Sequence, residues 1–269
     1  MSHIHIPDGV LPLWLWLSGW VAALVLVGIA GRLAERTEVR RKVPLLAVVS
    51  ALMLVAMSSE IVPLAYHINL TVVAGVLLGP VLSVIAAFIV EVVLAMLGHG
   101  GVTVLGLNTL MIATEMILGW ALFRGLVAVL SRRRVRWAAA VATVIALACT
   151  TTLLVGLVAL AGGGAATTRE TGALNPASLT FSNPLSGGVF RAGLFAGGGS
   201  EAATAPQAGS LSVARFAAVV YTLGPIGWLL EALISAWMLG YVARVRPGLV
   251  WEGALGAHPH HVPGDEGVR

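Results

Sequence analysis

The sequence predicts an all-α membrane protein, a bundle of about seven transmembrane helices. Hydrophobic residues make up 58% of the 269 residues and charged residues only 10%, whereas an average soluble domain is about 45–50% apolar and about 25% charged. The apolar residues also fall into runs of about 20, the length that a helix needs to cross a bilayer. Because a soluble surface must carry polar groups, we expect a multi-pass protein of the cell membrane.

Seven apolar runs define the predicted helices. The first carries Trp14, Trp16 and Trp20 at its start, where the lipid interface favours tryptophan, and it ends without a small-residue cleavage motif, so we expect a retained helix. Residues 68–97 would form a helix of about 45 Å, longer than the bilayer core of about 30 Å. Gly79-Pro80 divides this stretch, because proline breaks the helical hydrogen-bond ladder. The seven runs are residues 11–30, 43–65, 68–78, 81–97, 104–130, 137–161 and 214–242.

Three basic clusters lie between or after the apolar runs, at residues 32–42, residues 132–136 and Arg244/Arg246. Clusters in such positions mark cytoplasmic loops, so the pI near 10 reflects membrane topology and we expect no nucleic-acid partner. With seven helices, all three clusters are cytoplasmic only if the N-terminus is outside and the C-terminus is cytoplasmic. The predicted organisation is an external N-terminal segment 1–10, a bundle 11–246 with an external flexible loop 162–210, and a cytoplasmic tail 247–269.

The N-terminal histidines have a specific metal chemistry. Ser2 is small, so we expect Met1 to be removed, which leaves a free Ser2 amine followed directly by His3. The amine, the backbone nitrogen of His3 and its imidazole can form two fused chelate rings around one metal ion. One further imidazole completes a square of nitrogens, a geometry that suits Ni(II) or Cu(II). His67 is the fourth donor if the N-terminus folds back over the outer end of the bundle.

Three stretches resemble the CbiM and NikM proteins, the substrate-binding membrane components of energy-coupling factor (ECF) transporters for cobalt and nickel. The first is His5-Ile6-Pro7-Asp8-Gly9, the second is Tyr66-His67 before a run that ends Leu78-Gly79-Pro80, and the third runs from His99-Gly100-Gly101 to Leu107-Asn108. The resemblance is specific from about residue 5 to 130 and only topological from 137 to 245. It implies a loop around His99 that lines the metal cavity, and an Asn108 that orients a ligand imidazole.

The resemblance also implies a ligand set of the terminal amine, the amide and imidazole of the second residue, and His67. This chain departs from the pattern, because three residues, Ser2, His3 and Ile4, separate Met1 from the family motif at His5. We favour His3 as the chelating histidine and His5 as an additional or orienting ligand, whereas a differently processed start would make His5 the chelator. Nickel and cobalt stay open as the transported ion, and no prosthetic group is expected.

The resemblance further implies partners: a coupling transmembrane protein like CbiQ or NikQ and an ATPase like CbiO or NikO, with room for a small accessory membrane subunit. The chain has no phosphate-binding Gly-x-x-x-x-Gly-Lys-Ser/Thr loop, so we expect a transporter subunit that is not itself an enzyme. Ala47 and Ala51 are small residues four apart, which allow close helix approach. The resemblance implies that they dock the coupling protein.

Carboxylates within apolar runs support a rival hypothesis. Charges inside a membrane are costly and are often functional, and Glu91 and Glu115 could be the proton sites of a stand-alone, proton-coupled carrier of divalent metals. Such a carrier predicts an inverted repeat with two broken helices, and the sequence shows one break, at Gly79-Pro80. We expect Cys149 to be a core residue and the tail histidines to be part of a flexible tail.

Overall fold

The computed structural model describes residues 11–35, 42–58, 60–61, 66–97, 101–163 and 213–252. Its elements follow the apolar runs closely, and five of its helices are long and apolar enough to cross a membrane, which confirms an all-α membrane protein. The long helices are α1 (Leu13–Ala34), α3 (Thr71–Met96), α4 (Leu105–Leu130), α5 (Val135–Gly163) and α6 (Val213–Val245), with the shorter α2 (Val43–Ser58) and α7 (Pro247–Glu252). A 3₁₀ turn, Arg132–Arg134, joins α4 to α5.

The second helix is shorter than the sequence predicts. It ends at Ser58, whereas the apolar run continues to residue 65. Pro63 lies in that remainder, and proline disfavours a helix interior because it lacks an N–H group and its ring clashes with the preceding turn. The chain instead forms a small antiparallel pair of strands, β1 (Glu60–Ile61) and β2 (Tyr66–His67), with Glu60 opposite His67.

Within α3 (Thr71–Met96) a break at Gly79 separates two helical segments, as the sequence predicts. Gly79 has φ 76° and ψ 174°, a conformation outside the helix that is essentially restricted to glycine. Pro80 follows it, and Ser83 Oγ donates a 2.7 Å hydrogen bond to the buried carbonyl oxygen of Gly79. The break therefore lies at the predicted dipeptide and divides α3 into an initial segment, 71–78, and a longer segment that follows it.

A second Gly-Pro pair, Gly224-Pro225, lies within α6 and behaves differently. The α6 helix continues through Pro225, and Gly79 is the one glycine with positive φ in the described ranges. The same dipeptide thus breaks α3 and leaves α6 continuous, so the two halves of the described chain are not related by matching broken helices.

The α3 helix lies at the centre of the bundle. In its most apolar 18-residue stretch 72% of the residues are buried, against 22–39% in the corresponding stretches of the other four long helices. It packs against α1, α2, α4, α5 and α6. The outward faces carry large exposed apolar side chains, such as Val25, Val55 and Leu233. A lipid environment accounts for these exposed faces, because hydrocarbon chains solvate them.

Two features differ from the sequence-based expectations. The packed structure continues beyond residue 246, because α7 packs on α6 and α3 and buries Val250 completely. Cys149 is exposed, so its assignment to the core was wrong. On a membrane helix an apolar residue is similarly stable in contact with lipid and in contact with another helix, so hydropathy does not show which of the two it faces.

Candidate metal site

The predicted ligands are only partly within the described chain. Ser2, His3, His5 and His99 lie outside the described residues, as do the tail histidines. His67 is described by its backbone, which belongs to β2. Within the described ranges, no three His, Cys, Asp or Glu residues are grouped closely enough to hold a metal ion. The described part of this region consists of the residues that support the backbone next to His67.

A buried carboxylate, Glu115 of α4, holds the segment that follows His67. Glu115 Oε1 accepts a 2.8 Å hydrogen bond from Asn69 Nδ2 and a second hydrogen bond from Thr71 Oγ1. Glu115 Oε2 accepts a 2.8 Å hydrogen bond from Thr150 Oγ1 of α5. All four side chains are at most 4% exposed, so these hydrogen bonds join α4, α5 and the start of α3 inside the bundle.

This cluster lies deep in the bundle. Glu115 is ten residues after the start of α4 at Leu105, about 15 Å along the helix, which is roughly half of the thickness of a bilayer core. Asn69 therefore reaches the middle of the bundle. His67 precedes Asn69 by two residues, so their Cα atoms are at most about 7 Å apart.

The first part of α3 packs closely against α4. Thr71 hydrogen-bonds to Glu115, and a Cβ atom on Gly75 would lie 2.1 Å from the carbonyl oxygen of Met116. A Cβ atom on Gly119 would likewise lie 2.7 Å from a methyl group of Val72. The segment 71–78 is about 12 Å long, so it is too short to span a bilayer by itself.

Asn108 shares a helix face with Glu115. The two residues are seven apart on α4, which is about two turns, and both are buried. Near Asn108 the helix meets α1 closely, because a Cβ atom on Gly106 would lie 2.6 Å from the Cα atom of Trp20. The predicted role of Asn108, orientation of a ligand imidazole, stays a prediction.

The other two carboxylates of the spanning helices are also buried. Glu91 of α3 is 1% exposed and Glu231 of α6 is 0% exposed. Ala47 and Ala51 differ from both, because they lie on the exposed face of α2, beside Val48 and Leu52. This small-residue pair is therefore not used for packing within the described bundle.

Sequence reasoning missed Asn69, Thr71 and Thr150. It identified Glu115 as a carboxylate in an apolar run, and such a group needs hydrogen-bond donors. A search for amide and hydroxyl side chains in the other apolar runs would have found these three as candidates. Their convergence on one carboxylate depends on how α3, α4 and α5 pack, which a single sequence does not show.

The fold and this site define a multi-helix membrane protein with a buried polar cluster beside a candidate metal ligand. A family profile described as cobalt uptake substrate-specific transmembrane region, CbiM, matches residues 5–249. The chain therefore belongs to the CbiM family.

One curated protein and two solved structures are similar to this chain. The chain is 38% identical over 127 residues to a protein of Haloquadratum walsbyi (strain DSM 16790 / HBSQ001) that is assigned to metal transport; the match covers 45% of this chain and 58% of that relative. A crystal structure of a transition metal transporter has a TM-score of 0.60 at 19% identity and covers 90% of this chain and 93% of its own. A truncated transition metal transporter gives the same TM-score at 18% identity, covering 90% and 99%. At this identity the two structures show a shared fold.

Proposed function

We propose that this chain is the metal-capture subunit of an ATP-driven ECF-type importer of Co(II) or Ni(II). The observation that carries the proposal is the family match, which extends over residues 5–249 and so includes the N-terminal motif, His67 and every described spanning helix. The deep position of the segment next to His67 supports it, because a capture site must remove the ion from external water.

The proposed ligands are the Ser2 amine, the amide and imidazole of His3, and His67, with His5 as an additional or orienting group. Four nitrogens in a plane suit Ni(II) and accept Co(II), with nickel bound more tightly in general. The strand β2 supports the role of His67, because its pairing with β1 fixes the backbone at that residue.

The proposed topology places the N-terminus outside and the basic clusters inside. Six long or medium helices alone would put the cluster at Arg132–Arg134 on the opposite side from Arg32. This conflict disappears if the chain reverses direction at Gly79, so that residues 71–78 and the rest of α3 count as two passes, as the sequence predicts. All three clusters are then cytoplasmic, in agreement with the positive-inside rule.

The proposed partners are a coupling transmembrane protein and a separate ATPase. The sequence contains no phosphate-binding loop of its own, so hydrolysis would take place on the partner. Ala47 and Ala51 offer a flat, exposed stripe on α2, which permits close approach by a partner helix. We assign this stripe to the coupling protein.

Native mass spectrometry of the intact purified chain tests the capture role. After loading with Ni(II) or Co(II), we expect one bound ion per chain and loss of Met1. His67→Ala should abolish stoichiometric binding, whereas His258→Ala, a histidine substitution in the tail, should leave it unchanged. Comparison of His3→Ala with His5→Ala identifies the chelating histidine. A chain with an exposed amine that binds neither metal contradicts the proposal.

The rival function, a proton-coupled carrier that works alone, is favoured by one observation: Glu91, Glu115 and Glu231 are all buried within spanning helices. Against it, α6 continues through Gly224-Pro225 and so lacks the second broken helix. Reconstitution of this chain alone in liposomes distinguishes the two functions. Metal uptake that needs a proton gradient and no partner would favour the carrier.

A further inference from the structure

The hydrogen bonds at Glu115 act on the backbone next to His67. Leu70 has φ 53° and ψ 11°, the left-handed conformation, which is unfavourable for a residue with a side chain. Its two neighbours, Asn69 and Thr71, both donate hydrogen bonds to Oε1 of Glu115. The left-handed turn brings these neighbours to one oxygen atom, and the two hydrogen bonds in turn hold the unfavourable turn in place.

Glu115 also decides the orientation of the Asn69 amide. The carboxylate accepts a hydrogen bond from Asn69 Nδ2, so the NH₂ group must face Glu115 and the carbonyl oxygen must face away from it. That oxygen, Asn69 Oδ1, is buried and has no hydrogen-bond partner among the described residues. A buried acceptor without a donor is costly, so this oxygen needs an N–H or O–H group from elsewhere.

Metal-bound nitrogen ligands supply such donors. A histidine that binds metal through one ring nitrogen carries an N–H on the other, and an acceptor in contact with that N–H fixes the ring and strengthens the ligand. A metal-bound amine also keeps N–H groups. Asn69 follows the candidate ligand His67 by two residues, close enough in the chain for its side chain to serve a group at the same site.

We propose that Glu115 is a positioning residue for metal capture. It holds the backbone after His67 in its left-handed turn, and through Asn69 it presents Oδ1 as a hydrogen-bond acceptor to an N–H group of a metal ligand. Thr150 completes this arrangement by fixing the second carboxylate oxygen to α5. The inference rests on the proposed function, because it requires that the ion is bound at His67.

The effect on affinity follows from conformational populations. If the segment spends only a fraction of its time in the shape that binds metal, the apparent dissociation constant rises by the inverse of that fraction. Loss of one hydrogen bond to a buried carboxylate lowers that fraction. We expect roughly three- to tenfold weaker metal binding for each such hydrogen bond that is removed.

The first test compares two isosteric substitutions on α5. Thr150→Val removes the hydrogen bond to Glu115. Thr143→Val, seven residues earlier and also buried, removes only a hydrogen bond to the Ala139 carbonyl. Titration calorimetry with Ni(II) on the full chain in detergent should show weaker binding for Thr150→Val and an unchanged affinity for Thr143→Val. Equal affinities for the two variants, with the wild type binding normally, would overturn the inference and leave the proposed function intact.

The second test exchanges the two polar groups. Asn69→Asp places a carboxylate against Glu115, so the donor is lost and we expect at least about tenfold weaker binding. In the double variant Asn69→Asp/Glu115→Gln, the new amide at position 115 can donate to the new carboxylate at position 69, and affinity should recover relative to Asn69→Asp. This recovery is specific to a pairing between the two residues. A double variant that binds no better than Asn69→Asp contradicts the inference, and a wild-type chain that binds no nickel or cobalt overturns both it and the proposed function.

Discussion

The backbone of α3 at Gly75 lies against the carbonyl oxygen of Met116, close enough that a Cβ atom on Gly75 would be 2.1 Å from that oxygen. This contact sets how near the start of α3 lies to α4. Because Thr71 is one helical turn before Gly75, the same close approach allows Thr71 to reach Glu115. The glycine is therefore a structural requirement of the polar cluster.

Gly75→Ala should destabilise the protein, because its methyl group would overlap the Met116 backbone and force α3 and α4 apart. We expect a loss of about 1–3 kcal/mol in the free energy of unfolding in detergent. Gly28→Ala is the control, since Gly28 lies within α1 with no atom within 4 Å of its Cβ position. That substitution should be neutral or stabilising by up to about 1 kcal/mol. Equal effects of the two changes would contradict the backbone contact.

The kink in α3 yields a second prediction. At φ 76° and ψ 174°, Gly79 has a conformation that residues with a Cβ atom avoid, so Gly79→Ala should cost about 1–3 kcal/mol in the free energy of unfolding. Gly224→Ala, in the same Gly-Pro context, is not at positive φ and meets the Trp228 ring at 3.1 Å, which the ring can relieve by a small shift. Its cost should be smaller. A larger loss in the free energy of unfolding for Gly224→Ala than for Gly79→Ala would contradict the glycine-specific backbone conformation at Gly79.

The left-handed turn at Leu70 is tested by two truncations. Leu70→Ala and Leu70→Gly remove nearly the same packing, but only glycine adopts φ 53° without a Cβ penalty. In an ordinary helix alanine is more stable than glycine by about 1 kcal/mol. Here we expect the reverse order, with Leu70→Gly more stable than Leu70→Ala by about 1 kcal/mol. Thermal unfolding of both variants in the same detergent measures the order, and the usual helical order would exclude a left-handed residue.

The apolar runs predicted where helices lie but not which way their residues face. Residues 104–130 and 137–161 match α4 and α5 within two residues at each end, because the bilayer thickness sets the length of a spanning run. Cys149 was misplaced for the same physical reason, since lipid and helix interface are similarly apolar. Hydropathy therefore gives depth in the membrane and leaves rotation about the helix axis open.

The polar cluster required information that a single sequence lacks. Asn69 and Glu115 are 46 residues apart, and neither belongs to a motif with fixed spacing. Proline chemistry, by contrast, predicted the break at Gly79-Pro80 because that effect is local. The same chemistry could not tell that α6 would continue through Pro225, where packing decides the outcome.

The pH dependence of nickel binding should separate the proposed chelate from simpler imidazole binding. Ligands must lose their protons before they bind metal, so affinity should rise as pH rises. Imidazole is largely neutral above about pH 7, whereas a terminal amine deprotonates about one pH unit higher. If His67 and another imidazole alone bind the ion, affinity should level off above about pH 7.5.

If the Ser2 amine and the His3 backbone amide also bind, affinity should keep rising to about pH 9, because both groups release protons to the solvent on binding. Calorimetric titrations of the full chain with Ni(II) at about pH 6, 7, 8 and 9 distinguish the two cases, with His258→Ala as the control for binding by the tail. Acetylation of the terminal amine should abolish the rise above neutral pH and leave the imidazole-dependent part. An affinity that is flat from about pH 7.5 upward in the unmodified chain would exclude the amine and amide from the ligand set and shift the site to His5 and His67.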